Sequence, residues 1–474
     1  MCYNGRVNGL KSVKLEKENG MTEMFEYVAT CLFGLERLVG EEIEALGYER
    51  LETIDGRVTF RGDIHAIARC NLWLRTAEHV YIRLGSFEAD SFEALFEGTR
   101  ALPWECWIGC DDAFPVKGHS IGSQLQSIPD CQSIVKKAVV ERLRAEYGIE
   151  WFSEEGAKYQ IEFFILKNHA TLMIDTTGVP LYKRGYRTEA GIAPLRETLA
   201  AAMVKLSRPL EHVLLWDPFA GSGTIPLEAA LLMTNTAPGL RRTFAAEDFL
   251  DIPADSFARA REEAQDLIQK TAFEAYVSDI DPVMVDIARA NVERAGMGDV
   301  VKCFCRNGLD VEARGRRGTI VCNPPYGERM MEVREAERLY RHMGRAFSRL
   351  ENWQLYIICA DDDFEYYFGW EADKVRRLYN GMIPCGFYQY FKKERRPSRR
   401  PDPQRGRRGF DERQREQNRQ EKTEGKDYAP RAYRERSAEN EKNASGRRFD
   451  RLNAYEQHKN LHAERKFRGK DEKK

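Results

Sequence analysis

Val213-Leu214-Leu215-Trp216-Asp217 runs directly into Pro218-Phe219-Ala220-Gly221-Ser222-Gly223-Thr224. An apolar strand ends in an acid, and a Gly-rich turn then opens a helix. Gly221 and Gly223 allow positive φ and a close backbone approach to a ligand. In open α/β sheets such ligands sit beyond the carboxyl ends of the strands. The turn lacks both the GxGxxG spacing of dinucleotide folds and the lysine of a P-loop. A second strand, Ala275–Asp279, ends in another acid. A carboxylate there can accept hydrogen bonds from both hydroxyls of a ribose. Asp281-Pro282 starts the next helix, and Asp281 suits its N-cap, which leaves Asp279 for a ligand. Ile280 is placed to pack on adenine. Asp217, Phe219, Ala220, Gly221, Gly223, Thr224, Asp279 and Ile280 therefore read as a pocket for S-adenosylmethionine. Asn307, after the strand Val300–Cys305, is either an adenine contact or a turn residue.

Outward from this turn the pattern is regular α/β. Leu195, Leu199 and Met203 share one face of the preceding helix. Strands at Val213–Asp217, Ala275–Asp279, Val300–Cys305, Thr319–Cys322 and Gln354–Cys359 alternate with helices, which implies a parallel sheet covered on both faces. Val375–Tyr379 and Tyr388–Phe391, separated by Gly381, Pro384 and Gly386, read as a closing antiparallel hairpin.

Asn323-Pro324-Pro325-Tyr326-Gly327 follows the strand that ends at Cys322. The two prolines fix φ and remove two backbone donors. What remains is a rigid loop of acceptors: the Asn323 side-chain oxygen and the Pro324 carbonyl. An exocyclic amine has two N–H donors, so such a loop holds it with its lone pair toward a methyl donor. Orientation then supplies much of the rate, and no charged base is required. Tyr326 is placed to stack on a base taken out of its helix. Asn323, Pro324, Pro325 and Tyr326 are thus the candidate catalytic residues. Arg329 reads as either a phosphate contact or half of a surface ion pair with Glu328.

Residues 24–178 alternate strands and helices in what reads as two small α+β units in series. Tyr182-Lys183-Arg184-Gly185-Tyr186-Arg187 is a basic, aromatic connector. Residues 392–474 hold roughly 28 bases against 16 acids and few aliphatic side chains. Such a segment cannot offset its ordering entropy by burial and reads as a disordered basic tail. It offers itself to a polyanion, or is simply a solvated tail. Met21 reads as the start, with residues 1–23 disordered or misassigned. Apolar runs stay below the roughly 20 residues that span a bilayer, and no signal-peptide pattern opens the chain. The 11 cysteines form no CxxC pair, so no metal is expected. Their number without a framework points to a reducing cytoplasm.

Asp217–Thr224, Ser278–Pro282 and Asn323–Arg329 together resemble the THUMP-domain RNA N2/N6 methyltransferases. The bacterial large-subunit ribosomal RNA guanine-N2 methyltransferases (RlmL-type) are the nearest branch. Ala29–Glu36, Lys183–Arg187 and Ala237–Leu240 match as well. The resemblance covers residues 24–391. It implies a ferredoxin-like domain at 24–67, a THUMP domain at 68–178, a linker at 179–194 and a Rossmann-like class I methyltransferase domain at 195–391. It adds Thr198 to the cofactor contacts. It makes Lys117, His119, Lys136, Lys137, Lys183, Arg184 and Arg187 candidate RNA contacts. It implies a guanine of 23S rRNA as target, with tRNA, adenine N6 or an inactive assembly factor as alternatives. One Gly-rich turn and one Asn-Pro-Pro-Tyr imply a single mark.

Overall fold

The computed structural model describes residues 23–187, 195–326, 330–392 and 396–398. The expectations for the start, the tail, Glu328 and Arg329 lie outside these residues.

The first half is one continuous sheet. Strands β1 (Phe25–Cys31), β2 (Glu49–Ile54), β3 (Arg57–Gly62), β4 (Ala77–Glu88), β5 (Val116–Ile121), β6 (Ile161–Leu166) and β7 (His169–Asp175) lie in the order β2-β3-β1-β4-β7-β6-β5. Helices α1 (Glu36–Ala45), α2 (Ala66–Trp73), α3 (Phe92–Arg100) and α4 (Ile128–Tyr147) connect them. The sequence suggested two units in series; the 12-residue β4 instead serves both. It pairs antiparallel with β1 on one side and with β7 on the other. Strand β2 escapes a sequence reading because ERLETI buries none of its residues and so shows no alternation.

The second half is the α/β domain. Helix α5 (Glu197–Ser207) precedes β8 (Leu214–Asp217), α6 (Thr224–Met233), α7 (Ser256–Asp266), β9 (Ala275–Asp279), α8 (Pro282–Ala295), β10 (Val301–Cys305), β11 (Gly318–Cys322), α9 (Met330–Phe347) and β12 (Trp353–Cys359). Then come α10 (Phe364–Phe368), β13 (Trp370–Glu371), β14 (Lys374–Asn380), β15 (Ile383–Tyr390) and β16 (Arg396–Pro397). The main sheet has the order β10-β9-β8-β11-β12-β15-β14, parallel as far as β12 and antiparallel beyond it. The chain runs outward from β8 to β10, then returns to place β11 on the other side of β8. The strand order therefore reverses between β8 and β11, where open α/β sheets bind ligands.

The hairpin is longer than its sequence suggested. Pro384 and Gly386 lie inside β15 rather than in a turn, paired with Tyr379 and Arg377. Pro384 lies past the last residue paired with β12, so its missing N–H costs no bond on that side.

The two halves share a core. Phe244, Phe249, Ile252, Phe257 and Ala260, from the segment between α6 and β9, join the cluster built on Trp104, Phe114 and Tyr159. Phe249 stacks on Tyr159 at 4.0 Å. Gly239 N donates to Leu72 O at 2.9 Å, and a Cβ there would sit 2.8 Å from Asn71 O. This close approach explains the glycine of Ala237–Leu240.

Candidate active site

The turn after β8 is pinned from several sides. Phe219 N donates to Asp217 Oδ1 at 3.0 Å, and Gly221 N to Asp279 Oδ2 at 2.9 Å. Asn291, buried on α8, donates to Ser222 O at 2.9 Å. Gly221 and Gly223 both adopt positive φ, +50° and +81°. Gly223 caps α6, whose N-terminus faces the turn. Burial pushes the Asp217 carboxyl well above the usual carboxylate range; Phe219 N–H opposes this and the charge of Asp279 adds to it. With 2% exposure, Asp217 shapes the turn from inside. Asp281 caps α8 by accepting from Val283 N at 2.9 Å, while Asp279 remains at the strand end with Oδ1 accepting from Asp281 N.

Strand β11 delivers the proline loop next to this turn. Together they line a cleft of about 430 Å³, within the range of roughly 300–1,000 Å³ for small-molecule sites. Asp217, Phe219, Ala220, Gly221, Thr224, Asp279, Ile280, Asn323, Pro324, Pro325 and Tyr326 all face it. Asn323 Oδ1 is buried and has no hydrogen-bond partner among the described residues. Burial raises the Tyr326 phenol above its ordinary range. Its hydroxyl accepts from Asn380 Nδ2 at 3.0 Å. Tyr340 OH donates to Pro325 O at 3.3 Å.

Asn380 and Ile383, at the tip of the β14–β15 hairpin, complete the wall with Leu195, Ser222, Ile225 and Met284. Ser222 belongs to the Gly-rich turn, but the sequence carries no local mark on the other five. Leu195 reads as part of a helix stripe in the sequence but lies just before α5, and the hairpin lies more than 50 residues beyond the proline loop.

Three sequence assignments need correction. Thr198 is buried outside the cleft wall, and its hydroxyl donates to Glu78 Oε1 at 2.5 Å across the two halves. Asn307 does not line the cleft either; its Oδ1 accepts from Leu309 N at 3.0 Å, so it closes a turn. Arg184 is only 3% exposed, paired with Glu228 at 3.4 Å and bonded to the carbonyls of Leu181 and Arg75. It therefore joins the halves and cannot meet a phosphate.

Arg187 is also engaged within the chain: 2.7 Å from Glu197 and 3.3 Å from Thr224 Oγ1. Burial pushes Glu197 up to about 7 even though Arg187 opposes the shift. Lys136 is half-buried against Glu154 and the Phe114 carbonyl. Lys117, His119, Lys137 and Lys183 remain exposed.

The arrangement fits S-adenosylmethionine. An added Cβ at Gly221 would meet no atom within 4 Å, so the turn opens onto free space beside the Asp279 carboxylate. Asn323 supplies an unsatisfied acceptor in the same cleft. Among the described residues no helix is long and apolar enough to cross a membrane.

Comparison with known proteins agrees with this geometry. The family described as RMKL-like, methyltransferase domain, matches residues 184–389. The RlmL ferredoxin-like domain matches 26–81 and the THUMP domain 89–175. The "Putative RNA methyltransferase YpsC" of Bacillus subtilis (strain 168) is 43% identical over 78% of this chain and 97% of its own. The ribosomal RNA large subunit methyltransferase K/L of Psychromonas ingrahamii (strain DSM 17664 / CCUG 51855 / 37) is 31% identical over 80% of this chain. This chain spans about half of that relative, 52%. SMU.472, a methyltransferase solved with S-adenosylhomocysteine, superposes with a TM-score of 0.74 at 39% identity, covering 79% of this chain and all of its own. A Listeria monocytogenes str. 4b F2365 structure, described as a "predicted N6-adenine-specific DNA methylase", gives 0.73 at 43% identity, covering 78% and 96%. With its cleft, its proline loop and its three modules in this order, the chain belongs to the THUMP-containing class I S-adenosylmethionine-dependent RNA methyltransferases.

Proposed function

We propose that this chain methylates the exocyclic N2 amine of a guanine in 23S ribosomal RNA, in the cytoplasm. The observation that carries the amine is Asn323 Oδ1, buried in the cleft without a partner. Leaving a buried acceptor unsatisfied costs about 1–3 kcal/mol, so the site is built for a donor that arrives with the substrate. An exocyclic N–H is such a donor.

S-adenosylmethionine supplies a sulfonium methyl group when bound. The chain's residues position the amine. Asn323 accepts one N–H, and the rigid prolines hold that acceptor in place. Tyr326, anchored by Asn380, offers a ring on which the base stacks. With the cofactor bound, its sulfonium C–S bond would break as the N–CH₃ bond forms, and the methylated amine, held by Asn323, would lose its extra proton to solvent water. Asp279, which lines the cleft, would hold the ribose hydroxyls of the cofactor and is not needed as a base. Cofactor contacts are proposed for Asp217, Phe219, Ala220, Gly221, Thr224, Asp279 and Ile280; Gly223 does not line the cleft, faces Ala288 and Val277, and is proposed to shape the turn instead. RNA contacts are proposed for Lys117, His119, Lys137 and Lys183.

Ribosomal RNA rests on the K/L relatives, and guanine rests on the resemblance of the motifs alone. The acceptor loop suits adenine N6 equally well, and this is the second reading. Nuclease digestion and mass spectrometry of rRNA and tRNA from cells with and without the gene separate the two. Loss of one N2-methylguanosine from 23S rRNA is expected. Intact rRNA with altered tRNA, or loss of N6-methyladenosine, overturns the guanine-in-rRNA reading.

A further inference from the structure

Strands β14 and β15 meet in a two-residue turn, Gly381-Met382, between the paired Asn380 and Ile383. Gly381 takes φ +65°, the positive value that tight hairpins require at their first central position. Met382 follows at the tip with 93% exposure, the highest of any large apolar side chain among the described residues. The two residues that flank this turn, Asn380 and Ile383, both line the active-site cleft. Asn380 also holds the Tyr326 hydroxyl. The exposed Met382 side chain thus stands at the rim of the cleft.

The hairpin is braced from the other half of the molecule. Phe33, in the loop after β1, meets Tyr379 edge-on at 5.8 Å. A Cβ on Gly34 would come 3.0 Å from Arg377 O, so that loop rests directly on β14. The half that contains the THUMP domain thus sets the hairpin's position.

An isolated exposed methionine is ordinary. This one stands on a narrow, braced tip beside the cleft proposed to receive a nucleobase. Proteins that distort a duplex insert apolar wedges such as Met, Leu or Phe between base steps, and a step left by an extruded base offers a similar apolar gap. A long unbranched thioether suits an irregular gap.

We propose that Met382 is the wedge that fills the stack when the target base leaves it, with Ile383 and Asn380 forming the wall that receives the base. The proposal rests on the reading of this site as a nucleobase methyltransferase.

The test uses the full chain and a 23S rRNA fragment carrying the guanine mapped above. The fragment is prepared in two forms: with the target stacked in a stem, and with the target unpaired in a single strand. Met382→Ala should lower single-turnover methylation of the stem at least ten-fold and change the unpaired form less than two-fold. Met382→Phe should restore the stem rate. Affinity for S-adenosylhomocysteine, measured by calorimetry, should be equal in all three proteins, which shows that the pocket is intact. Equal loss on both forms, or no loss on either, overturns the wedge. If the wild-type protein methylates neither form, the proposed function itself fails and the wedge with it.

Discussion

Asn323 Oδ1 is a buried side-chain acceptor of the proline loop that has no partner among the described residues. Asn323→Ala should therefore lower methyl transfer about 100-fold or more, the scale of losing one preorganised polar contact to the reacting group. Affinity for S-adenosylhomocysteine should stay within two-fold. Single-turnover transfer and calorimetry read the two quantities separately; full activity in the variant would refute the orientation mechanism. Glu197 gives a second prediction. Burial raises its carboxyl to about 7 in the folded chain. The folded state then binds this proton more tightly than the unfolded state, so stability falls as pH rises from about 4.5 to about 7. Glu197→Gln should flatten that part of the melting temperature profile. The slope is the readout, since Gln also removes the counter-charge of Arg187. Parallel profiles for the two proteins would show that Glu197 does not titrate in this window.

Gly223 shows how one turn serves an element. Its φ of +81° places it in the left-handed region, and an added Cβ would sit 3.1 Å from Ala288 Cβ. Gly223→Ala should cost about 1–2 kcal/mol from the backbone alone, and the displaced N-terminus of α6 should weaken the cofactor. Thermal melts with and without S-adenosylhomocysteine check both; an unchanged melt in both conditions would sink the argument. At this scale the sequence was informative wherever a signal is local. Asp281-Pro282 marked the start of α8, and Gly296, at φ +70°, ends it. β9 and the strand before the proline loop were legible from short apolar runs. The exposed β2 was not, and Pro384 pointed to a turn where β15 continues. Propensity at these positions yields to pairing with neighbours that the local sequence does not name.

Across the whole molecule the halves are joined by charge as well as by the shared core. Arg75 donates to the carbonyls of Leu231 and Thr236, Lys205 pairs with Glu42, and Arg184 pairs with Glu228. Arg184→Ala would leave the Glu228 charge buried with only the Tyr186 hydroxyl as partner, at a cost of about 3–5 kcal/mol. The expected result is a lower melting temperature and faster proteolysis between the halves. An unchanged melt with weaker RNA binding would instead restore Arg184 as a phosphate contact.

From the sequence alone came the Gly-rich turn, the acid at the end of β9, the acceptor loop and the alternation that makes the second half α/β. Each is a property of a few adjacent residues: positive φ, a missing N–H, an apolar period. Only the tertiary structure brought the turn and the loop together, because their meeting depends on β11 returning beside β8 across the reversal of strand order. Only it brought Asn380 and Ile383 to the cleft, and only it buried Arg184. A basic side chain reads the same in a sequence whether it faces solvent or a buried carboxylate. Which of the two it meets is decided by residues far along the chain.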